Sequence, residues 1–381
     1  MMRFRTFFLL LLLCIGCQNT EIDPLQKALN SDVPAIKKVM ENPDKYEVQI
    51  MFTEVNRDKS GKITFSDYEY RVDEDVYFYP ASTVKLPASI LALEKLAEYK
   101  EINKDSRFRV ETDSIETSTA IEIRKIFAVS NNEAYNRLFE FIGKDEFNER
   151  LNSKGINARI SHRLSTPNAD DLTSKPVVFN TMDSTLTIPK RTNKEIVSLQ
   201  KTSVLKGVGY MENDSLISNP KDFSKKNYYP ISSMHGTMKR LIFPNLFPEE
   251  QRFKLNGKDR IGLINGMMLV PWQYGYSKRD YPDNYVKFFV IGDLVGEHKP
   301  KDLHIYNKVG YAYGYLIDCA YIFNEATNKD YFITAVIHVN ENGIFNDDQY
   351  EYDEIGIPFL AELGRQLVNH SGKIPEKTTT N

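Results

Sequence analysis

The chain is poor in cysteine. Its 381 residues hold three, Cys14, Cys17 and Cys319. Two of these lie in the first 17 positions, so the body of the chain keeps a single thiol and has no internal disulfide to form. It must rely on its own core. Paired histidines are missing too. The six histidines are scattered singly with no HxxxH pair, so no zinc motif is visible and no cofactor is expected. Basic charge is not in excess. The formal net charge is −3, which argues against a nucleic-acid partner, because such partners leave a basic footprint. There is no internal repeat. What is present is ordinary for a soluble globular protein, with 41% hydrophobic and 27% charged residues, and enough chain for one two-lobed domain.

The first residues read as a targeting segment. Arg3 and Arg5 precede the apolar run Phe7 to Leu13, which is too short to span a bilayer as a stable anchor. The segment Leu13-Cys14-Ile15-Gly16-Cys17 resembles a bacterial lipobox, with Cys14 standing where leucine is usual. That resemblance implies removal of residues 1–17 as a lipoprotein signal, lipidation of Cys17, and a lipid-anchored protein of the bacterial cell envelope, periplasmic or on the outer membrane. The alternative is an ordinary secreted protein whose signal happens to end in cysteine. Residues 18–23 then form a polar tether, 24–370 a single domain, and 371–381 a flexible tail.

Along that domain, Pro24 to Met40 reads as one or two helical segments, ended by Asn42-Pro43-Asp44. Val48 to Val55 and Lys62 to Tyr68 read as strands. Between them, Asn56 to Asp67 matches a calcium-binding EF-hand loop in its oxygen side chains and its Gly61. Its flanks are strand-like where an EF-hand needs helices, so a hairpin turn is the reading taken. Ala81 to Tyr99 predicts a central helix that is apolar all round and therefore buried. Thr119 to Val129, Glu133 to Ile142 and Asp145 to Lys154 predict further helices. From Ser161 to Pro230 turn formers dominate, and a structureless stretch of that length is usually functional or a lid. Helical texture returns at Ser232 to Ile242 and Glu249 to Met268. Tyr285 to Gly292, Ile305 to Tyr311, Leu316 to Asn324 and Tyr331 to Val339 read as strands, and Ile355 to Val368 as a closing helix. This order suggests an α+β fold: one antiparallel sheet built from both ends of the chain and flanked by helices, with an inserted helical lobe.

Ser82 and Lys85 stand at the mouth of the buried helix. Residues three apart share a helix face. Burial lowers a lysine pKa until the amine can accept a serine proton, which is one way to make a nucleophile. SxxK alone is weak evidence, since Ser198/Lys201, Ser203/Lys206 and Ser218/Lys221 repeat it in the polar middle. Ser82 differs in having two companions in fixed order, Ser130-x-Asn132 and Lys308-Val309-Gly310, and Ser-x-Asn occurs once in the chain.

Phe78-Tyr-Pro-Ala-Ser82-Thr-Val-Lys85, Ser130-Asn-Asn132 and Lys308-Val-Gly310 resemble the three signature elements of the penicillin-recognising serine enzymes, most closely the class A β-lactamase-like hydrolases. Gly314 to Ile322 is similar to that family's strand after the third element. The resemblance covers about residues 24 to 370, with an extended insertion at about 164–230. It implies a β-lactamase/transpeptidase-like fold, a monomer, and acyl-enzyme formation at Ser82. Lys85 would accept the serine proton or hold the network that does so. Ser130 would pass a proton to the leaving nitrogen, helped by the charge of Lys308. Asn132 would hold the substrate amide. Val309, Gly310 and Tyr311 would line the substrate, with the backbone N–H groups of Ser82 and Tyr311 as oxyanion hole.

Three departures narrow this. Val309 replaces a hydroxyl residue that contacts the substrate carboxylate. No Glu-x-x-x-Asn pattern for a deacylation base appears between Arg163 and Pro230, where Asp170 and Asp171 read as a solvated acidic loop. Asn131 replaces the usual aspartate, a mild change. The expected substrate is therefore a β-lactam, a peptidoglycan-derived stem peptide, or another amide or ester. A penicillin-binding-protein-like peptidase with slow deacylation, and a non-catalytic envelope lipoprotein on the same fold, remain as alternatives. A dead scaffold, however, has no need to bury two lysines beside a serine, which is costly.

Overall fold

The computed structural model describes residues 23–294 and 299–368. The leader, Cys17, almost all of the tether and the tail lie outside the described residues.

The described residues begin with two short helices, α1 (Pro24–Leu29) and α2 (Pro34–Met40), each opened by a proline whose missing N–H costs nothing at that position. A hairpin follows, β1 (Gln49–Arg57) and β2 (Ile63–Tyr70). Its connection is a turn in which Asp58 Oδ1 accepts from the backbone N–H groups of Ser60 and Lys62, so the EF-hand-like sequence is a hairpin turn. The predicted central helix opens as a 3₁₀ turn, Ala81–Val84, and continues as α3 (Lys85–Leu96), buried along its whole length.

The helical lobe contains β3 (Arg107–Val110), β4 (Thr117–Ser118), α4 (Thr119–Val129), α5 (Asn132–Ile142) and α6 (Lys144–Asn152). The polar middle is not structureless. It forms β5 (Val177–Asn180), β6 (Thr185–Ile188), β7 (Leu205–Lys206), β8 (Gly209–Glu212), β9 (Ser215–Ile217) and β10 (Lys221–Asp222). β5 and β6 extend a small sheet in the order β4-β3-β5-β6, and β7 pairs with β10. Alternation over two to four residues is too brief to register as a strand in sequence.

Then come α7 (Ile231–Ile242) and α8 (Gly257–Met268), so only the second part of the helix expected at Glu249 to Met268 forms. The strand expected at Tyr285 to Gly292 is absent. Residues 283–286 are a 3₁₀ turn, Val290 has a φ of +71°, and the N–H groups of Phe288 and Phe289 donate to the buried Asp318 carboxylate, not to a neighbouring strand. A short apolar run does not distinguish a strand from any other buried segment. Long strands β11 (Leu303–Ala312), β12 (Tyr315–Asn324) and β13 (Lys329–His338) follow, then β14 (Ile344–Phe345), which runs parallel to β8, and α9 (Ile357–Leu367).

The main sheet is antiparallel in the order β11-β12-β13-β1-β2, so it is built from both ends of the chain as expected. One face packs under α7 and the helical lobe through Phe332, Val336 and Met234. The other is covered by α1, α2 and α9 through Ile333, Phe359 and Leu363. The edge strand β11 thus lies beside the 3₁₀ turn that carries Ser82.

Candidate active site

Ser82 sits in the 3₁₀ turn ahead of α3, with Lys85 as the first residue of the α-helix. Ala81 opens the turn at a φ of +47°. The Lys85 Nζ is fully buried and donates to Ser82 Oγ at 2.8 Å, to Asn132 Oδ1 at 2.6 Å, and to the carbonyl and hydroxyl of Ser130. Each of these partners is a neutral oxygen. Burial, with the nearby Lys308 charge adding to it, holds the Lys85 pKa well below the ordinary lysine value.

Ser130 is the C-cap of α4, in the left-handed region at φ +54°. This turn lets α5 start two residues later, with the Asn131 side chain accepting from the Ala134 N–H at 2.7 Å. Asn131 therefore caps a helix, a task that asparagine and aspartate share. The Ser130 hydroxyl lies between the two lysines: Lys308 Nζ donates to Ser130 Oγ at 2.8 Å and to the Val309 carbonyl at 2.7 Å. Burial brings the Lys308 pKa down to about 7, with the Asp318 charge opposing the fall and Lys287 reinforcing it.

Asp318 and Lys287 form a buried layer beneath Lys308. Asn307 joins them, donating to Asp318 Oδ1 at 2.8 Å and accepting from Lys287 Nζ at 2.6 Å. Burial raises the Asp318 carboxyl and lowers the Lys287 ammonium. Asp318 carried a sequence signal, standing in the strand that follows the third signature element. Lys287 carried none, because it lies in the run misread as a strand.

Gly310 is where β11 meets the Ser82 turn. A Cβ there would come within 3.0 Å of the Pro80 carbonyl and of the Ser82 and Thr83 nitrogens. Only a residue without a side chain permits this approach. Tyr311 is 44% exposed and, with Ser82 and Asn132, lines a cleft of about 520 Å³. Val309 is elsewhere: its side chain is buried in the apolar cluster on the far face of the sheet and does not line the cleft.

Sequence reasoning missed Ser165, whose Oγ accepts from Asn132 Nδ2 at 2.9 Å. Its only signal was a cluster of turn formers. Asp170 and Asp171 are exposed and do not line the cleft, as a solvated loop would be. The three other SxxK lysines are engaged away from their serines. Lys201 pairs with Asp75, Lys206 with Glu47, and Lys221 lies over the Tyr210 ring.

Residues 33–207 match the sequence profile of the β-lactamase enzyme family. No curated protein matches the chain in sequence. Similar solved structures include a β-lactamase from Xanthomonas campestris, 14% identical with a TM-score of 0.51 over 90% of this chain and 97% of that one. A β-lactamase from Desulfarculus baarsii gives 14% and 0.51 over 91% and 98%. A class A β-lactamase representative from Bacteroides cellulosilyticus gives 12% and 0.51 over 91% and 97%. The profile match and the fold agree, and the chain is β-lactamase-like: in sequence over residues 33–207, and in fold over its described length.

Proposed function

We propose that the protein is a serine hydrolase that forms an acyl-enzyme at Ser82 on a β-lactam or related amide or ester. The observation that carries this reading is the 2.8 Å contact between a buried Lys85 amine and Ser82 Oγ. In this reading the neutral amine takes the Ser82 proton as Oγ attacks the carbonyl carbon. The oxyanion is held by the Ser82 and Tyr311 backbone N–H groups. Collapse breaks the C–N bond. Ser130, between Lys85 and Lys308, delivers the proton to the leaving nitrogen and is reprotonated from Lys85. Preorganised donors of this kind contribute about 3–4 kcal/mol each to the transition state.

A slow second half-reaction, as in a penicillin-binding protein, is favoured by one observation. Among the described residues no carboxylate hydrogen-bonds to Lys85, so none is held at that amine as a general base for water. Small-molecule or peptidoglycan-derived substrates and a lipid-anchored envelope location through Cys17 belong to the same proposal. They rest on the signature elements and on the leader sequence.

The test is incubation of the mature chain with a fluorescent penicillin, beside Ser82→Ala, followed by intact mass. The expected result is a stoichiometric adduct that Ser82→Ala lacks. No adduct and no turnover of lactams or simple esters would overturn the hydrolase reading. A lasting adduct assigns slow deacylation, and rapid release assigns a lactamase.

A further inference from the structure

Away from the Ser82 cleft, and sharing no wall with it, lies a second cavity of about 270 Å³. Arg240 of α7, Arg252 of the following loop and Arg260 of α8 all line it, over an apolar floor that includes Leu241, Phe253 and Leu255. All three arginines are half-buried. Among the described residues none of them has a carboxylate within ion-pair distance, although Glu249 and Glu250 are close in the chain. This contrasts with the nearby Lys239, which pairs with Asp67.

The three guanidinium groups are nonetheless held in place. Arg260 Nη1 donates to the Leu241 and Ile242 carbonyls, at 3.3 and 3.2 Å, where α7 ends. Arg252 Nε donates to the Phe247 carbonyl at 2.7 Å. Arg240 Nη2 donates to Gln251 Oε1 at 3.2 Å, and its guanidinium lies 4.9 Å from the Phe247 ring centre. A guanidinium has five N–H donors, so most of them remain without a protein partner. The buried Arg240 Nε is one of these.

Three half-buried cations lining one pocket without counter-charge are a cost to the folded state, since burial strips each of part of its solvation. An anion bound among them reverses the sign of that term. Oriented guanidinium forks match the oxygens of phosphate in a bidentate manner. Three charges also suit a dianion better than a monoanionic carboxylate. We propose that this pocket binds a phosphate group, carried either by a small solute or by a lipid headgroup.

Calorimetric titration of the mature chain with inorganic phosphate at fixed ionic strength tests this, with acetate as the monoanion and vesicles containing phosphatidic acid as the lipid arm. Saturable binding of phosphate, of the vesicles or of both is expected. It should weaken at least tenfold in both Arg252→Gln and Arg260→Gln, each of which is checked for a cooperative thermal melt. Acetate should bind at least tenfold more weakly than phosphate. A response to phosphate alone assigns a solute, and a response to vesicles alone assigns a headgroup. No saturable response to either probe, equal binding in wild type and both folded variants, or acetate binding as tightly as phosphate overturns the proposal.

Discussion

Two buried lysines flank Ser130, and desolvation acts on both in the same direction. Their environments separate them. Lys308 has the Asp318 charge beneath it, which opposes the fall and leaves its pKa at about 7, whereas Lys85 has only neutral hydrogen-bond partners and no opposing charge. Burial thus favours the free amine at Lys85, while near neutral pH Lys308 still carries part of its charge, which in the proposed mechanism favours proton delivery through Ser130. The sign follows. Raising the pH through about 7 removes the Lys308 proton, so the rate of Ser82 labelling should decline on that limb. Lys308→Arg, which keeps its charge throughout, should shift the decline upward by at least one pH unit. Stopped-flow labelling between pH 6 and 9 checks this, and a rate that climbs across the range would exclude the assignment. The residues of this constellation were legible in sequence because chemistry fixes their types and order. The charge ordering was not, since it depends on a buried Asp318–Asn307–Lys287 layer that only packing assembles.

The site is set by junctions between elements. Ser130 is placed by a left-handed helix cap, and Ser82 by a 3₁₀ turn against which an edge strand is pressed. The helix break at Ser130-Asn131-Asn132 could be read from its polar residues. The closeness of β11 to the Ser82 turn could be expected only from the family resemblance, because it joins segments more than two hundred positions apart in sequence. Gly310 makes that junction testable. A methyl group there meets three backbone atoms at 3.0 Å, and backbone cannot swing aside as a side-chain end can. Gly310→Ala should push the strand outward and spread the Ser82 and Tyr311 N–H groups. Acylation should fall by about a hundredfold, the scale of losing one oxyanion donor, while the thermal melt stays cooperative. Labelling at the wild-type rate would show that the two elements are not coupled in this way. The misread segment at 285–292 teaches the complementary lesson. Its apolar residues are buried as expected, but its backbone donors go to a carboxylate and to α9, so no strand forms.

At the scale of the whole molecule, α7 is fastened to the main sheet, and the fastening is polar. His235 is buried, with Nε2 at 2.7 Å from Thr53 Oγ1 on β1 and Nδ1 at 2.9 Å from Thr334 Oγ1 on β13. The Thr53 hydroxyl donates to Asp67, so Nε2 carries the imidazole proton and Nδ1 accepts. One turn on, Lys239 pairs with Asp67 on β2. Burial drives the His235 pKa to about 3, with the Lys239 charge adding to the fall and Asp67 opposing it. In the unfolded chain an ordinary histidine titrates near 6.5. A depressed folded pKa means stability that is complete above the unfolded value and lost as the pH falls toward the folded one. Between pH 6.5 and 5 one such histidine removes about 2 kcal/mol, before most carboxylates titrate. His162, buried with its pKa lowered to about 4, contributes to the same limb. His235→Gln keeps a donor and an acceptor without a proton to gain. It should lower stability at pH 7 yet roughly halve the further loss between pH 7 and 5. Urea unfolding at the two pH values measures both quantities. An equal acid loss in variant and wild type would show that α7 is not held to the sheet by a histidine that must stay neutral.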